Sequence, residues 1–292
     1  MPGIPDVTLA QFDPAATIRV AAPAKINLFL HIVGRRPDGY HLLQTAFRML
    51  DWGDEITLRR RDDGAILRTT DIPGVPAESD LVVKAARALQ AATGSTFGAE
   101  IGVRKQIPMG GGLGGGSSDA ASVLLALNRI WGCGLSRPRL QEIGLTLGAD
   151  VPFFIFGETA FAEGVGEDLT PLSVPPAWYV MVAPSVFVPT SEIFSDPLLT
   201  RDSEILIMQA FATHTTRNDM QATACRKFPK VAEALGWLSQ YGAARMSGSG
   251  ACIFAPFDTK EAAEQVIAKA PQGLKVWVAE GLDRHPLQSW VV

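Results

Sequence analysis

The alternation of apolar and polar residues predicts a first half that is rich in strands. Residues 17–33 alternate or run apolar, which indicates one or two strands around Pro23. Residues 54–61 and 65–70 flank a turn rich in aspartate and glycine, and this arrangement predicts a hairpin. Further strands are predicted over residues 99–107 and within 151–172.

Helical spacing of apolar residues is evident over residues 79–93. Ser79 or Asp80 is the candidate N-cap of this helix, and Gly94 is the candidate stop signal. The other predicted helices run from a glycine-rich segment to about residue 131, and over 136–148, 203–213, 229–240 and 258–270. The strands predicted for the second half are 178–184, 251–257 and 275–282.

A proline-rich stretch at residues 171–177 predicts a break between two units. A chain of 292 residues is long for a single domain and suits two packed ones. We therefore expect an N-terminal domain over 1–172 and a C-terminal domain over 173–292. The mixture of strands and helices in both indicates an α+β fold.

Composition and charge limit the kinds of molecule that the protein is expected to bind and the compartment in which it is expected to act. The formal net charge is −4, so there is no basic field to recruit nucleic acid, and a small anionic ligand needs local donors. The three cysteines are far apart, with neither disulfide nor metal-ligand spacing, which suits a reducing cytoplasm. The first residues lack the pattern of a signal peptide, and no apolar run has the length of a membrane span. We expect an intracellular protein without a membrane partner.

Residues 108–118, PMGGGLGGGSS, place six glycines among seven residues directly before a predicted helix. Because glycine loses much backbone entropy on ordering, such a run is expected where the fold needs bare backbone. A glycine loop that leads into a helix presents unpaired N–H donors and the positive end of the helix dipole, and both suit phosphate. Ser117 and Ser118 can cap the helix or contact a phosphate or its metal.

Other interpretations of the glycine run fit less well. It contains a G-x-G-x-x-G pattern, but the preceding residues make a poor Rossmann strand and no acidic ribose-binding residue follows at the expected distance, which disfavours a dehydrogenase. The Walker pattern nearly fits from Gly111 to Gly116, but Ser117 stands in place of the lysine. The remaining alternative is a flexible linker, against which Leu113 and the abrupt helix onset argue.

The glycine run resembles the second motif of the GHMP kinase superfamily, which includes galactokinases, homoserine kinases and mevalonate kinases. Three more stretches resemble motifs of one member with a cytidine-diphosphate-linked acceptor alcohol: the N-terminal motif at 23–41, the catalytic-aspartate motif at 147–157 and the third glycine-rich motif at 245–254. The matches are spread over nearly the whole chain. The resemblance implies two α+β domains with the active site in the cleft between them.

The resemblance assigns Asp150 as the general base and pairs it with Lys25. A carboxylate within hydrogen-bond reach can accept the proton of an attacking hydroxyl, whereas the alternative role for Asp150 is to cap a turn. Lys25 is a lone cation in an apolar strand, so it either has a partner or extends to water. Asn27 shares the face of Lys25, and the resemblance assigns it to substrate hydroxyls; a structural amide bond is the alternative.

Aromatic residues at two places suit recognition of a nucleobase. Tyr40 and His41 end a loop and can stack on a ring and hydrogen-bond to it. The resemblance assigns both to a cytosine and places Phe194 on the opposite face, with core packing as the alternative for Phe194. The family often has Pro-Thr-Pro just before that stretch, whereas here Thr190, a candidate substrate-binding residue, is followed by Ser191.

ATP and Mg²⁺ are the cofactors that the resemblance implies. The residues assigned to the nucleotide are Lys105, Pro108, Met109, Gly110, Gly111, Gly112, Leu113, Gly114, Gly115, Gly116, Ser117 and Ser118. For Lys105 the alternative is a solvated strand lysine. The sequence offers no all-protein cage for a metal, so water, phosphate oxygens and Ser117 or Ser118 would hold the ion. Residues 246–251 would either line the site or form a tight turn.

We therefore expect an ATP-dependent kinase that acts on the 2-hydroxyl of a small cytidine-diphosphate-linked substrate in isoprenoid precursor synthesis. Another GHMP kinase, of the homoserine or mevalonate type, is the near alternative. A non-catalytic nucleotide-binding regulator on the same fold would be expected to lack Lys25 or Asp150, and both are present. The expected assembly is a monomer or a weak homodimer.

Overall fold

A computed structural model describes residues 16–211 and 216–291 of the chain. The strands of this part are β1 Ile18–Arg35, β2 His41–Arg61, β3 Ile66–Arg68, β4 Gly98–Arg104, β5 Ala160–Glu163, β6 Asp168–Pro171, β7 Trp178–Ala183, β8 Arg245–Met246, β9 Ile253–Phe257 and β10 Lys275–Leu282. Its α-helices are α1 Leu81–Thr93, α2 Gly115–Ile130, α3 Arg137–Leu145, α4 Val151–Phe156, α5 Thr190–Phe194, α6 Gln221–Lys227, α7 Pro229–Leu238 and α8 Lys260–Ile267. Short 3₁₀ turns occur at Ala77–Ser79, Met208–Ala210 and Gln288–Trp290.

One mixed sheet runs through both halves of the chain in the order β3-β4-β2-β10-β7-β9-β8, and β1 and β5 also pair with β2. The long antiparallel pair of β1 and β2 extends from the Ile18–Leu58 register to Arg35–His41. The two halves of the sheet join where Gly281 and Leu282 of β10 pair with Leu50 and Met49 of β2. This continuity places β1, the strand with the candidate site residues, beside elements of both halves.

Strand β1 is one strand with irregularities, and one of them precedes Lys25. The register with β2 shifts between Pro23 and Lys25, because proline has no N–H to donate to the ladder. The Lys25 amide instead donates to the Leu113 carbonyl of the glycine run, at 3.0 Å. The irregularity therefore ties the strand directly to the glycine loop.

Two apolar cores lie on the two halves of the sheet. The first packs α1 and α2 against β1, β2 and β4, and the second packs α7 and α8 against β7 and β9. The last residues of the chain return to the first core, where Leu287 and Val291 are buried. Arg137 holds this return by donating to the carbonyls of Gln288 (2.8 Å) and Val291 (2.9 Å). The domain limits 1–172 and 173–292 stay a prediction. The structure shows in addition that the C-terminal segment packs against the core of the N-terminal half.

Local capping signals were read correctly for α1. The Asp80 carboxylate accepts a hydrogen bond from the Val82 amide at 3.1 Å, and Gly94 ends the helix with a φ of +68°. These are the standard stabilising features of a helix start and a helix end.

The predicted hairpin of residues 54–61 and 65–70 is wrong. Strand β3 pairs in parallel with β4, and β4 lies between β3 and β2. The backbone of Ala65 lies so close to Gly98 that a Cβ there would overlap it, and the Ala99 amide donates to the Ala65 carbonyl at 3.0 Å. Gly98, far along the chain, therefore allows the backbones of β3 and β4 to approach closely. The residues of the local turn give no sign of this pairing.

The prediction of a strand-rich segment over 151–172 is wrong at its start. Residues Val151–Phe156 form α4, with Pro152 in the first turn and Gly157 in the left-handed region at its end. A short apolar run is compatible with a buried strand or a buried helix, so periodicity could not separate them.

The helix predicted over 203–213 is also not found: residues 201–207 are irregular before a 3₁₀ turn, and 212–213 lie outside the described residues. Helix α6 was not predicted.

Candidate active site

A cavity of about 940 Å³ lies between the two halves of the chain. Strands β1 and β2, the loop before α2 and the start of α4 form one side, and the segments before α5 and after β8 form the other. Residues far apart in the sequence are therefore brought to one concave surface, as expected of a small-molecule site.

Lys25 is buried inside this cavity and faces polar partners. Its side chain is only 4% exposed, its Nζ donates to Asn27 Oδ1 at 2.7 Å, and it lies 3.3 Å from Asp150 Oδ2. The ammonium group also lies over the Phe47 ring, 4.9 Å from its centroid. Asn27 Nδ2 donates to Thr45 Oγ1 at 2.9 Å, which orients its amide oxygen toward the lysine. Lys25 is therefore a paired internal cation and not a strand-edge lysine that extends to water.

Asp150 precedes α4 but does not cap it. Its side chain accepts no capping hydrogen bond from that helix, and one third of it is exposed to the cavity. A carboxylate beside a fixed ammonium group can accept a proton from a hydroxyl placed in the cavity, while the cation balances the charge that develops on the oxygen. The structure thus brings the two predicted catalytic residues together.

The glycine run forms an ordered loop over the cavity. Gly110, Gly112 and Gly114 have φ values of +68°, +73° and +70°, in the left-handed region that favours glycine. A Cβ at Gly112 would overlap the carbonyl of Ser247, and one at Gly114 would lie 3.0 Å from Lys25 Cγ. Close packing on both sides excludes a flexible linker.

The loop presents its amides where α2 begins. The first N–H groups of a helix have no intrahelical acceptor, and here they belong to Gly115, Gly116 and Ser117. Ser117 lines the cavity, whereas Ser118 is fully buried with a hydroxyl that has no hydrogen-bond partner among the described residues. Leu113 is buried and anchors the middle of the loop. A phosphate chain is the ligand that suits this set of donors.

The third glycine-rich segment, residues 245–254, fastens the loop to β1. Ser247 Oγ donates to the Gly112 carbonyl at 2.9 Å and accepts from the Asn27 amide at 3.2 Å. Asn218 Nδ2 in turn donates to the carbonyls of Met246 (2.8 Å) and Gly248 (2.7 Å). Sequence reasoning missed the roles of Ser247 and Asn218, because each depends on partners that lie far away in the chain.

The aromatic residues gather at the other end of the cavity. The rings of His41 and Phe194 stack with centroids 4.6 Å apart and an interplanar angle of 22°, and Tyr40 is 65% exposed at the rim. Thr190 lies beside them, with its Oγ1 2.7 Å from Ser249 Oγ. All of the predicted substrate-binding residues therefore line or border the same space.

Arg201 is a further member of this end that the sequence did not indicate. Its Nε donates to His41 Nε2 at 3.2 Å, so that ring nitrogen is unprotonated. Burial lowers the pKa of His41, and the neighbouring cations Arg201 and Arg35 lower the pKa further. His41 is thus neutral near pH 7, with Nδ1 free to act as the donor.

Lys105 does not line the cavity. Its ammonium group lies between two buried carboxylates, in contact with Asp54 Oδ2 and 2.8 Å from Asp119 Oδ2. Asp54 also accepts hydrogen bonds from the amides of Gln106 (2.5 Å) and Ile107 (2.8 Å). Burial raises the pKa of Asp119 and the two carboxylates raise that of Lys105. These contacts hold the two ends of the glycine loop, so the geometry favours a supporting role over the predicted contact with the nucleotide. Of the other residues assigned to the nucleotide, Gly110, Gly112, Gly114 and Ser117 line the cavity, whereas Pro108, Met109, Gly111, Leu113, Gly115, Gly116 and Ser118 do not.

The oxygen donors in the cavity suit a magnesium ion that is bound mainly through phosphates. Among the described residues, no group of three or more His, Cys, Asp or Glu side chains could enclose a metal. Asp150 and Ser117 are among the side chains with oxygen atoms that line the cavity. Mg²⁺ usually keeps several waters and takes one or two carboxylates together with substrate phosphates, which this donor set allows.

No helix in residues 16–211 and 216–291 has the length and apolar character needed to pass through a lipid bilayer.

Comparison with known proteins identifies the family. Residues 80–158 match the GHMP kinases N terminal domain and residues 207–276 match the GHMP kinases C terminal domain. The chain is 58% identical over 282 residues to the 4-diphosphocytidyl-2-C-methyl-D-erythritol kinase of Aromatoleum aromaticum, covering 96% of this chain and 99% of that protein. It is 57% identical over 275 residues to the kinase of the same name from Cupriavidus taiwanensis, covering 92% of this chain and 94% of that protein.

Solved structures support the same family and fold. The crystal structure of a 4-(cytidine 5'-diphospho)-2C-methyl-D-erythritol kinase superposes with a TM-score of 0.79 at 33% identity, covering 90% of this chain and 99% of the other. A homoserine kinase from Cytophaga hutchinsonii shares the fold, with a TM-score of 0.65 at 20% identity over 94% of this chain and 98% of the other. The α+β fold and the kinase family expected from the sequence are confirmed. This chain belongs to the GHMP kinases, in the branch of the 4-diphosphocytidyl-2-C-methyl-D-erythritol kinases.

Proposed function

We propose that this chain transfers the γ-phosphoryl group of ATP to the 2-hydroxyl of 4-diphosphocytidyl-2-C-methyl-D-erythritol, a step of the non-mevalonate route to isoprenoid precursors. One observation carries the proposal. The Lys25–Asp150 pair lies in a single cavity between a glycine loop that suits phosphate and an aromatic end that suits a nucleobase. The names of the relatives that cover almost the whole chain support the same substrate.

Asp150 acts as the general base. Its carboxylate takes the proton of the acceptor hydroxyl as the oxygen forms a bond to the γ-phosphorus. The bond from that phosphorus to the bridging oxygen of ADP breaks, and ADP leaves with the electron pair. Lys25, held by Asn27, stabilises the oxygen that loses its proton. Phosphoryl transfer needs mainly this positioning and charge neutralisation.

The glycine loop binds the phosphates of ATP. The amides of Gly115, Gly116 and Ser117 are the donors at the start of α2, and the positive end of that helix favours the anion. Ser117, Asp150 and phosphate oxygens would hold Mg²⁺, which would supply neutralisation of the phosphate charge. The loop is ordered before any ligand arrives, because Ser247 Oγ already donates to the Gly112 carbonyl and the Lys25 amide already donates to the Leu113 carbonyl.

Tyr40, His41 and Phe194 bind the cytosine. Phe194 stacks on His41 and lines the cavity together with Tyr40, which is exposed at the rim, so a planar base can stack on an aromatic surface there. Because Arg201 occupies Nε2 of His41, the Nδ1–H is left to donate to a base carbonyl. Homoserine and mevalonate carry no ring for this end of the cavity, so the aromatic end disfavours the other GHMP substrates.

We also propose that the protein acts in the cytoplasm, without nucleic acid or membrane, as a monomer or weak homodimer. The three cysteines, Cys133, Cys225 and Cys252, are free thiols, and the net charge of −4 does not favour nucleic acid.

The decisive experiment measures ADP release from ATP with a panel of acceptor alcohols. The panel contains 4-diphosphocytidyl-2-C-methyl-D-erythritol, homoserine and mevalonate, and ³¹P NMR locates the new phosphate. We expect product with the cytidine-bearing alcohol, phosphorylated at its 2-hydroxyl. Efficient phosphorylation of homoserine or mevalonate instead would reassign the substrate, and binding of ATP without turnover on any alcohol would support a regulator.

A further inference from the structure

We infer that Phe187 shields the phosphoryl group in transit from water, which makes it a determinant of how tightly ATP consumption is coupled to acceptor phosphorylation. This inference rests on the proposed kinase function. Neither the glycine motifs nor the aromatic end of the cavity includes this residue, and the sequence pattern did not single it out.

Phe187 lies on the segment between β7 and α5 and lines the cavity, although 61% of it is exposed. Its ring covers Gly110 of the phosphate loop so closely that a Cβ on Gly110 would overlap it. Gly110 has a φ of +68°, so glycine is favoured there by conformation as well. A large apolar ring therefore lies directly on the loop that binds the phosphates, on its cavity side.

The backbone holds the ring in this place. Pro184 and Pro189 bound the segment and restrict its φ angles, and the Val186 amide donates to the Pro184 carbonyl at 2.7 Å. The neighbouring Val188 is only 2% exposed and belongs to the second core. Phe187 is thus an exposed aromatic residue on an anchored segment, and its exposure is explained if a bound ligand covers it.

Water is the competitor that such a ring can exclude. In the productive reaction the γ-phosphorus passes from the bridging oxygen of ADP to the acceptor oxygen, and Asp150 takes the hydroxyl proton. If water enters instead, its oxygen bonds to the phosphorus, its proton goes to Asp150, and ADP and orthophosphate result. An apolar wall beside the transferring group lowers the access of water to it.

The test compares ADP formed with phosphorylated alcohol formed in the same reaction. For the unaltered chain we expect the two amounts to be equal within error. Phe187→Ala is expected to raise the ratio of ADP to phosphorylated alcohol several-fold and to raise orthophosphate release without acceptor, while Phe187→Leu keeps most of the coupling. Leu198→Ala, which removes another exposed apolar side chain away from the cavity lining, is the matched control and should leave the ratio unchanged.

Two results would overturn the inference. One is an unchanged ratio in Phe187→Ala, and the other is a proportional fall of both products, which is what a role in shaping the loop alone would cause. Thermal unfolding of each variant establishes that it is folded before its ratio is interpreted. If the unaltered chain phosphorylated no alcohol, the proposed function would fail by itself, and acceptor-free hydrolysis would still decide whether Phe187 excludes water.

Discussion

Lys25 of β1 and Asp150 at the start of α4 form an ion pair of 3.3 Å in which the cation is buried and the carboxylate is partly open to the cavity. This difference in exposure gives the two residues different roles. The lysine cannot leave without exposing an unpaired Asn27 oxygen, so it is a fixed charge. The carboxylate retains open oxygen surface for a hydroxyl, which is the requirement for a general base.

Replacing Asp150 by asparagine is expected to reduce turnover by about 10²- to 10⁴-fold, because the acceptor hydroxyl loses its base. ATP affinity should change little, since the loop amides are the proposed phosphate donors. Turnover is measured by coupled ADP release and ATP affinity by calorimetry. Asp62→Asn, at a side chain that is 79% exposed, is the control. Near-normal turnover in Asp150→Asn would remove this residue as the base.

Replacing Tyr40 by alanine is expected to raise the KM for the cytidine-bearing acceptor much more than the KM for ATP. The reason is the loss of an aromatic surface at the rim of the nucleobase end. Steady-state kinetics with each substrate varied in turn measures both constants. Equal weakening of the two substrates would mean that the loop of Tyr40 does not recognise the base.

Replacing Gly112 by alanine is expected to lower both stability and ATP affinity. Its φ is +73°, and the new Cβ would overlap the Ser247 carbonyl, so the loop must move. Gly132 has a similar φ of +66° and open space around it. Gly132→Ala should therefore lower the free energy of unfolding only by the about 1–2 kcal/mol that alanine loses in the left-handed backbone conformation. Denaturant unfolding and ATP titration of both variants separate the two costs. Equal effects on stability and ATP binding would argue against close packing of the loop.

Replacing Lys105 by methionine is expected to cost about 3–5 kcal/mol of unfolding free energy, because it leaves the buried carboxylates of Asp54 and Asp119 without their cation. The double variant Lys105→Met/Asp119→Asn should recover part of the loss. Lys260→Met, at an exposed helical ion pair, should change little. Unchanged stability together with weaker ATP binding would restore the predicted contact of Lys105 with the nucleotide.

Replacing Arg201 by glutamine is expected to raise the pKa of His41, because a neighbouring cation is removed. Burial, the largest cause of the lowered pKa, remains, so the value should stay below 6.5. A histidine whose pKa is lowered on folding destabilises the protein as pH falls below the unfolded-state pKa, so the variant should lose less stability in acid. An NMR titration of the ring protons measures the pKa. Arg139→Gln is the distant control, and an unchanged His41 pKa in Arg201→Gln would contradict the contact.

Several parts of the site were predictable from short stretches of sequence. Helix α1 has its N-cap at Asp80 and its stop at Gly94, and both signals act within one turn of the helix. The glycine run before α2 was equally predictable, since so many glycines are expected where the fold needs bare backbone and have few other physical explanations. The pairing of Lys25 with Asp150 was expected from the resemblance alone, because neither spacing nor composition relates the two positions.

The local sequence was sufficient to predict the glycine loop, the helix limits around it and the apolar character of β1, because each depends on residues within a few positions. Long-range packing was needed for the pairing of β3 with β4, for the helix at 151–156, and for the contacts of Ser247, Arg201 and Phe187. A buried strand and a buried helix share the same apolar run, and a hydrogen bond between distant segments leaves no periodic trace. Which polar groups meet in the cavity is therefore a property of how the two halves pack, and it emerges only when the chain is folded.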